Sequence, residues 1–123
     1  MEKLKVLVVD DKRIVADVFD FTLSYSGHQV TSVTNPEEAI QLVQKEKFDV
    51  VFLDLIMPNF DGVELLEKIR KIAPKLPVVI MSGYSVEEKW NRGRALGAVS
   101  CLKKPFEFED VKKAVKEAIG KEI

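Results

Sequence analysis

The chain has 123 residues, 46% of them hydrophobic, which is enough for one domain built around one core. Lysine and arginine (19) nearly balance aspartate and glutamate (20), and the net charge of -1 gives no reason to expect direct binding of nucleic acid or of an anionic membrane surface. The single cysteine, Cys101, excludes an intramolecular disulfide and favours a reducing compartment. No apolar stretch approaches the roughly 20 residues of a membrane span, and the N-terminus has no signal-peptide pattern. We therefore expect a soluble cytoplasmic domain.

Five short apolar runs alternate along the chain with longer amphipathic stretches. The runs are rich in β-branched residues and too short for helices, so they predict β-strands. Four of them are almost continuously apolar, as are strands that are buried on both faces of a parallel sheet. The runs cover residues 4–9, 29–33, 50–53, 78–81 and 99–102.

The stretches between the runs contain helix start and stop signals. Asn35 and Pro36 fit the N-cap and the first position of the second helix. Gly27 and Gly97 stand where a helix would end in a left-handed residue. We expect His28, which follows Gly27, to be exposed and without a role. Strand and helix alternate five times, which predicts an α/β fold with a parallel sheet.

The first helical pattern carries two neighbouring apolar stripes at helical spacing. We expect one stripe to face the core. The second either flanks that core or docks a helix of a partner protein. The core stripe is Val15, Phe19, Thr22 and Leu23, and the second stripe is Ile14, Val18, Phe21 and Tyr25.

Polar side chains follow four of the five predicted strands. In open α/β sheets the ligand site lies beyond the carboxyl ends of the strands, so these groups are expected at one edge. Neighbouring residues on a strand point in opposite directions, so only one of two adjacent lysines can reach this edge, and we expect Lys103 to be solvated. The groups are Asp10 and Asp11 after the first strand, Asp54 after the third, Ser82 after the fourth, and Lys103 and Lys104 after the fifth.

Three carboxylates at one edge repel one another unless a cation is bound there. Hard oxygen ligands in small number suit Mg²⁺. A metal ion, a hydroxyl and a lysine together suit a phosphoryl group, because they neutralise or hydrogen-bond its oxygens. A carboxylate can also act as the nucleophile and form an aspartyl phosphate.

Four motifs in order, VDD, LDLIMPNFDG, MSG and KKPF, resemble those of the receiver domain of two-component response regulators, in particular the stand-alone receivers of the chemotaxis-regulator kind. The resemblance covers essentially the whole chain, so we expect residues 1–123 to be one receiver domain. It implies a doubly wound, flavodoxin-like parallel sheet of five strands in the order 2-1-3-4-5, with five helices.

The resemblance also implies roles for the acidic residues. Asp54 would accept a phosphoryl group from a sensor histidine kinase or a histidine phosphotransfer protein. Asp11, Asp54 and the backbone carbonyl of Ile56 would bind Mg²⁺, and Asp10 would help through water.

The polar residues after the later strands receive roles in the same way. Ser82 would bind a phosphoryl oxygen, Lys104 would pair with the added charge, and the Lys104–Pro105 peptide bond would be cis. Cys101 departs from the family, because receivers usually have Tyr or Phe at this position as a conformational signal. We therefore hypothesise that switching uses a shift of the loop after Ser82, with Gly83 as its flexible joint and no aromatic gate.

The resemblance predicts a phosphorylation-controlled switch that catalyses its own modification and is not an enzyme in the usual sense. We expect its output to pass through a downstream protein target, onward phosphotransfer or a domain outside this sequence. Ile56 and Tyr84 flank the expected path of attacking water and are bulky, which predicts slow dephosphorylation.

Two other classes remain open from the sequence. A phosphatase of the haloacid dehalogenase kind also forms an aspartyl phosphate, but it would have a second acid where this chain has Ile56. A pseudo-receiver would be a purely protein-binding module, and the retention of Asp11, Asp54, Ser82 and Lys104 argues against it.

Overall fold

A five-stranded parallel sheet forms the centre of the structure, a computed structural model that describes residues 3–57, 60–83 and 87–120. Its strands are β1 (Lys5–Val9), β2 (Gln29–Val33), β3 (Val50–Asp54), β6 (Val78–Ser82) and β7 (Ser100–Lys103). Their order across the sheet is β2-β1-β3-β6-β7, which confirms the predicted order 2-1-3-4-5. A short antiparallel pair, β4 (Ile56–Met57) and β5 (Phe60–Asp61), follows β3 and has no counterpart among the predicted strands.

Five helices accompany the strands in the described part of the chain, as predicted. They are α1 (Arg13–Phe19), which continues into a π-helical segment (Asp20–Ser24), α2 (Pro36–Lys45), α3 (Gly62–Ile72), α4 (Glu87–Ala95) and α5 (Phe108–Ile119). The predicted start of α2 is confirmed, since the Asn35 side chain accepts a hydrogen bond of 2.9 Å from the Glu38 backbone N–H. No helix in the described ranges is both long and apolar enough to cross a membrane.

The sheet separates two layers of buried apolar side chains. Successive strand residues point to opposite faces, so one face of each strand packs on α2 and α3 and the other packs on α1 and α5. Phe52 of β3, for example, packs on Phe19 of α1 with ring centroids 4.5 Å apart. All five residues of β3 are buried, which explains why the sequence around Asp54 is almost continuously apolar.

His28 does not lie where the sequence predicted. Its exposed fraction is 4%, so the expectation of an exposed side chain is wrong. Gly27 adopts a positive φ of 90° and turns the chain from the first helix into β2. This turn places the imidazole against β1, where Nδ1 accepts a hydrogen bond of 3.0 Å from the Leu4 N–H. His28 is therefore part of the packing at the amino edge of the sheet.

Candidate functional site

Three carboxylates come together at the carboxyl edge of the central strands. β1 and β3 are neighbours with Val9 opposite Leu53, so Asp10, just beyond β1, lies close to Asp54 at the end of β3. One carboxylate oxygen from each of Asp10, Asp11 and Asp54 lies within 4.8 Å of the others. Asp10 and Asp54 are 2% exposed, whereas Asp11 is exposed. The predicted convergence of these acids is thus present in the structure.

The ammonium group of Lys104 joins the two buried carboxylates. Its Nζ lies 2.6 Å from Oδ2 of Asp10 and 3.0 Å from Oδ2 of Asp54. The Lys104 side chain is 15% exposed, and the peptide bond to Pro105 is cis. Lys103 is exposed, as the alternation of side chains along β7 predicted. One cation therefore faces two buried anions, with a third anion at the rim.

Backbone amides hold the remaining oxygens of the two buried acids. Oδ1 of Asp10 accepts a hydrogen bond of 2.8 Å from the Lys12 N–H at the start of α1. Oδ1 of Asp54 accepts one of 3.0 Å from the Ile56 N–H. Each carboxylate is thus fixed by one ammonium and one amide, which leaves little rotational freedom at either position.

Burial and charge act in opposite directions on this site. Burial raises the pKa of Asp10 above its usual value, although the hydrogen bonds from Lys104 and from the Lys12 amide act against the rise. Burial alone would lower the pKa of Lys104, but its hydrogen bonds to Asp10 and Asp54 outweigh this effect and raise it. Lys104 is therefore a fixed positive charge at neutral pH.

The donor set suits a small hard cation. Carboxylate oxygens in small number, at the surface end of a cleft where water can complete the coordination shell, are the ligands that Mg²⁺ prefers. Exposed Asp11 and the buried pair Asp10 and Asp54 would each supply a carboxylate oxygen to such a cation. The residues present thus fit a divalent cation and, beside it, an anionic group near Lys104.

The other predicted site residues lie around this cluster. Ile56, which begins β4 two residues after Asp54, is 43% exposed. The backbone of Ser82 ends β6 opposite Lys103, but its side chain and Tyr84 lie outside the described residues. Gly83 is exposed. Cys101 is half-buried in β7, and burial raises the pKa of its thiol, which does not favour a reactive thiolate.

An apolar cleft of about 470 Å³ opens directly beside the cluster. The sequence analysis did not predict this cleft. The one sequence feature that could have indicated it is the apolar Phe106 directly after Lys104 and Pro105 in the KKPF motif. The cleft lies between the start of α1 and the segment that follows β7, so it can admit a group that approaches Lys104. Its lining residues are Lys12, Ile14, Val15, Val18, Gly83, Lys104, Pro105 and Phe106.

The second stripe of α1 lies on the protein surface. Ile14, Phe21 and Tyr25 are 71%, 63% and 90% exposed, and Val18 is half-buried. Three of these four side chains do not pack in the core, so the view that the stripe merely flanks the core is wrong for them. Phe21 also stacks on Phe108 of α5, a contact that the sequence did not predict. The stripe is thus available for a partner.

Comparisons with known proteins place the chain in a family. A family model described as "Response regulator receiver domain" matches residues 6–116. Sporulation initiation phosphotransferase F of Bacillus subtilis is 31% identical over 113 residues, which cover 92% of this chain and 91% of that protein. Response regulator protein FleR of Pseudomonas aeruginosa is 37% identical over 103 residues, which cover 84% of this chain but only 22% of FleR.

Solved structures agree with the sequence comparison. The chemotaxis response regulator CheY4 of Vibrio cholerae superposes with a TM-score of 0.87 at 30% identity, and the match covers 95% of this chain and 99% of CheY4. This chain belongs to the response regulator receiver domain family.

Proposed function

We propose that this receiver is a phosphoacceptor switch of a two-component system or phosphorelay, with Asp54 as the residue that is phosphorylated. The observation that carries the proposal is the meeting of Asp10, Asp11, Asp54 and Lys104 at one edge of the sheet. A relative that matches over most of its length is named a phosphotransferase, which supports a phosphohistidine of a kinase or phosphotransfer protein as the donor.

Asp54 is the carboxylate best placed to act as the nucleophile. Of the two buried acids it ends the central strand β3, where the paired strands on both sides fix its position. As one of its oxygens forms a bond to phosphorus, the phosphorus–nitrogen bond of the phosphohistidine breaks and the electron pair stays on the imidazole nitrogen. Lys104, already 3.0 Å from Asp54, pairs with the charge that the phosphoryl group adds.

The acidic cluster also has a role in this chemistry. Asp10, Asp11 and Asp54 would hold Mg²⁺ together with the Ile56 carbonyl, and the bound ion supplies positive charge that offsets the carboxylates and the phosphoryl oxygens. Asp10 additionally orients Lys104 through its short contact of 2.6 Å. Oδ1 of Asp10 accepts a hydrogen bond from the Lys12 N–H at the start of α1, so a movement of Asp10 on phosphorylation would also move the start of that helix.

We propose that the donor approaches along α1. The cleft beside Lys104 is lined by Ile14 and Val18, and the exposed stripe continues from there to Phe21 and Tyr25. An apolar face of this kind fits a helix that presents a histidine. Replacement of Ile14 and Phe21 by serine should slow transfer from the protein donor while phosphorylation by acetyl phosphate stays unchanged. Equal losses with both donors would contradict docking on this stripe.

Phosphorylation would be read out by a downstream protein through a shift of the loop after Ser82. Gly83, the joint of this loop, is exposed, and an added Cβ there would meet no atom of the described residues within 4 Å. Cys101 has no ring that could swing inward with the loop. A crystal structure with beryllofluoride, compared with the free form, tests this route. It fails if residues 82–86 do not move.

The decisive experiment uses Mg²⁺ with acetyl phosphate and detects phosphorylation by intact-protein mass spectrometry. We expect one base-labile phosphoryl group, lost in Asp54→Asn and kept in Asp49→Asn, a matched change at the opposite edge of the sheet. Continuous turnover of phosphoesters would instead indicate a phosphatase. Absence of any modification and of any response to beryllofluoride would indicate a protein-binding pseudo-receiver.

A further inference from the structure

The surface between α1 and α5 carries a group of exposed, stacked aromatic side chains, which we name the aromatic face: Phe21, Tyr25 and Phe108. The ring centroids of Phe21 and Phe108 are 5.1 Å apart, and those of Phe21 and Tyr25 are 6.5 Å apart. All three side chains are exposed. Single exposed apolar residues are ordinary, but a contiguous group of this kind marks an interaction site.

The backbone beneath the aromatic face is also unusual. Phe21 lies in the π-helical segment Asp20–Ser24, where Thr22 Oγ1 donates a hydrogen bond of 2.7 Å to the Val18 carbonyl. π-Helical segments are rare in folded proteins. The local geometry of α1 therefore sets this segment apart from an ordinary surface turn.

Opposite charges lie on diagonally opposite sides of the aromatic face. Asp17 lies one helical turn before Phe21, and Lys112 lies one turn after Phe108. Both helices begin at the carboxyl edge of the parallel sheet and pack back along the same face, so they run in the same direction, and the acid and the base lie towards opposite ends of the stack. Both residues are exposed, and neither takes part in any of the ion pairs that the described residues form within the chain.

We propose that the occupant of the aromatic face is a second copy of this chain. The two-fold axis of such a dimer passes through the stack and lies in the interface, perpendicular to the line from Asp17 to Lys112. Rotation about this axis brings Asp17 of one protomer to the position of Lys112 of the other, and the reverse. Asp17 of each protomer then meets Lys112 of its partner, and the aromatic side chains pack on one another. A second copy places a base opposite each Asp17 and an acid opposite each Lys112.

The size of the face predicts a weak dimer. Ile14 and the three aromatic side chains together expose roughly 500 Å² of apolar surface. A stable interface buries about 800 Å² on each partner. Association is therefore concentration-dependent and reversible, as suits a contact that regulates access.

The consequence for signalling rests on the proposed docking of the donor along α1. Phe21 and Tyr25 belong to both surfaces, so a protomer in the dimer cannot receive the donor. Self-association would then slow phosphorylation by the protein donor, while acetyl phosphate would still reach Asp54. The association itself does not depend on phosphorylation and is measured without it.

Sedimentation velocity of the unphosphorylated protein, from micromolar to millimolar concentration, tests the proposal. Asp17→Lys and Lys112→Glu should each weaken the dimer by at least about fivefold, because both ion pairs become repulsive. An equimolar mixture of the two variants should recover near wild-type association, since the mixed dimer restores both opposite-charge pairs. Lys113→Glu makes the same charge change on another side of α5 and should leave association unchanged.

The aromatic contribution is tested separately with Phe21→Ser, whose fold is checked by circular dichroism, and which should abolish the dimer. A chain that stays monomeric at millimolar concentration overturns the proposal. It is equally overturned by a dimer that the single charge changes do not weaken, or by a mixture that associates no better than either variant alone. None of these results bears on phosphorylation of Asp54.

Discussion

Replacement of Lys104 by methionine is the perturbation that most directly tests the electrostatics of the site. It removes the ammonium that lies 2.6 Å from Asp10 and 3.0 Å from Asp54 and leaves two buried carboxylates facing each other. Removing one partner of a buried ion pair costs about 3–5 kcal/mol. The Lys104 side chain is 15% exposed, so solvent recovers part of this, and we expect a loss of about 2–3 kcal/mol in the free energy of unfolding.

Urea denaturation in the presence of a chelator, followed by the fluorescence of Trp90, measures this loss. Lys103→Met is the matched control, because Lys103 is the exposed neighbour and its replacement should change stability by no more than about 0.5 kcal/mol. Added Mg²⁺ should stabilise Lys104→Met more than the wild type, since a bound cation replaces the missing charge. Equal losses for the two lysine variants would refute the view that Lys104 balances the buried acids.

Three further changes probe separate parts of the chain. Ile56→Asn should shorten the lifetime of the aspartyl phosphate several-fold, because an amide beside Asp54 can orient the attacking water that isoleucine excludes; the decay is followed by mass spectrometry after removal of acetyl phosphate. Arg70→Met should cost about 2–4 kcal/mol in urea denaturation, because the guanidinium donates hydrogen bonds to the carbonyls of residues 73, 74, 76, 96 and 97. Burial lowers the pKa of His28, so the unfolded chain binds a proton at this residue more readily than the folded chain does. The free energy of unfolding should therefore fall as the pH drops below about 6.5, by at most about 1.4 kcal/mol per pH unit. His28→Gln should remove this pH dependence, which is measured by urea denaturation at several pH values.

Each of these changes has an outcome that would count against it, and the first two also have a matched control variant. Ile56→Val keeps an apolar side chain and should preserve the lifetime, so an unchanged or longer lifetime in Ile56→Asn would rule out shielding. Arg70→Lys keeps the positive charge, but a single ammonium group cannot replace the several hydrogen bonds of the guanidinium to residues 73, 74, 76, 96 and 97. Full stability in that variant would mean that these hydrogen bonds contribute little. A pH dependence that persists in His28→Gln would place its origin elsewhere.

The strands and the polar residues at their ends could be predicted because both follow from local sequence. Strands buried on two faces need continuous apolar runs, and four of the five runs have this form. The resemblance to receiver domains supplied the strand order, which places Asp10 and Asp54 at the ends of neighbouring strands. Lys104 follows β7, which is separated from β3 by β6, and its long side chain reaches both acids although 94 residues separate it from Asp10.

The features that were missed depend on contacts that local patterns do not contain. His28 is buried because the Leu4 amide, 24 residues away, meets its ring. The stack of Phe21 on Phe108 joins helices at opposite ends of the chain. The strands β4 and β5 have two residues each, too few to show any periodicity. In the first two cases packing between distant segments decided the outcome, and in the third the elements were too short to leave a pattern.

The apolar residues around Asp54 serve the fold and the chemistry at once. Leu53 and Leu55 are 0% and 1% exposed, and β3 pairs with strands on both sides, so the backbone that carries Asp54 cannot shift. A carboxylate on such a backbone loses little further freedom when the Ile56 amide and the Lys104 ammonium engage its two oxygens. Burial of the Asp54 carboxylate costs free energy, and the hydrogen bonds from the Ile56 amide and the Lys104 ammonium at the end of β3 offset this cost. An acid at the end of a fully buried parallel strand is therefore a positioned group, as the proposed phosphoacceptor needs to be.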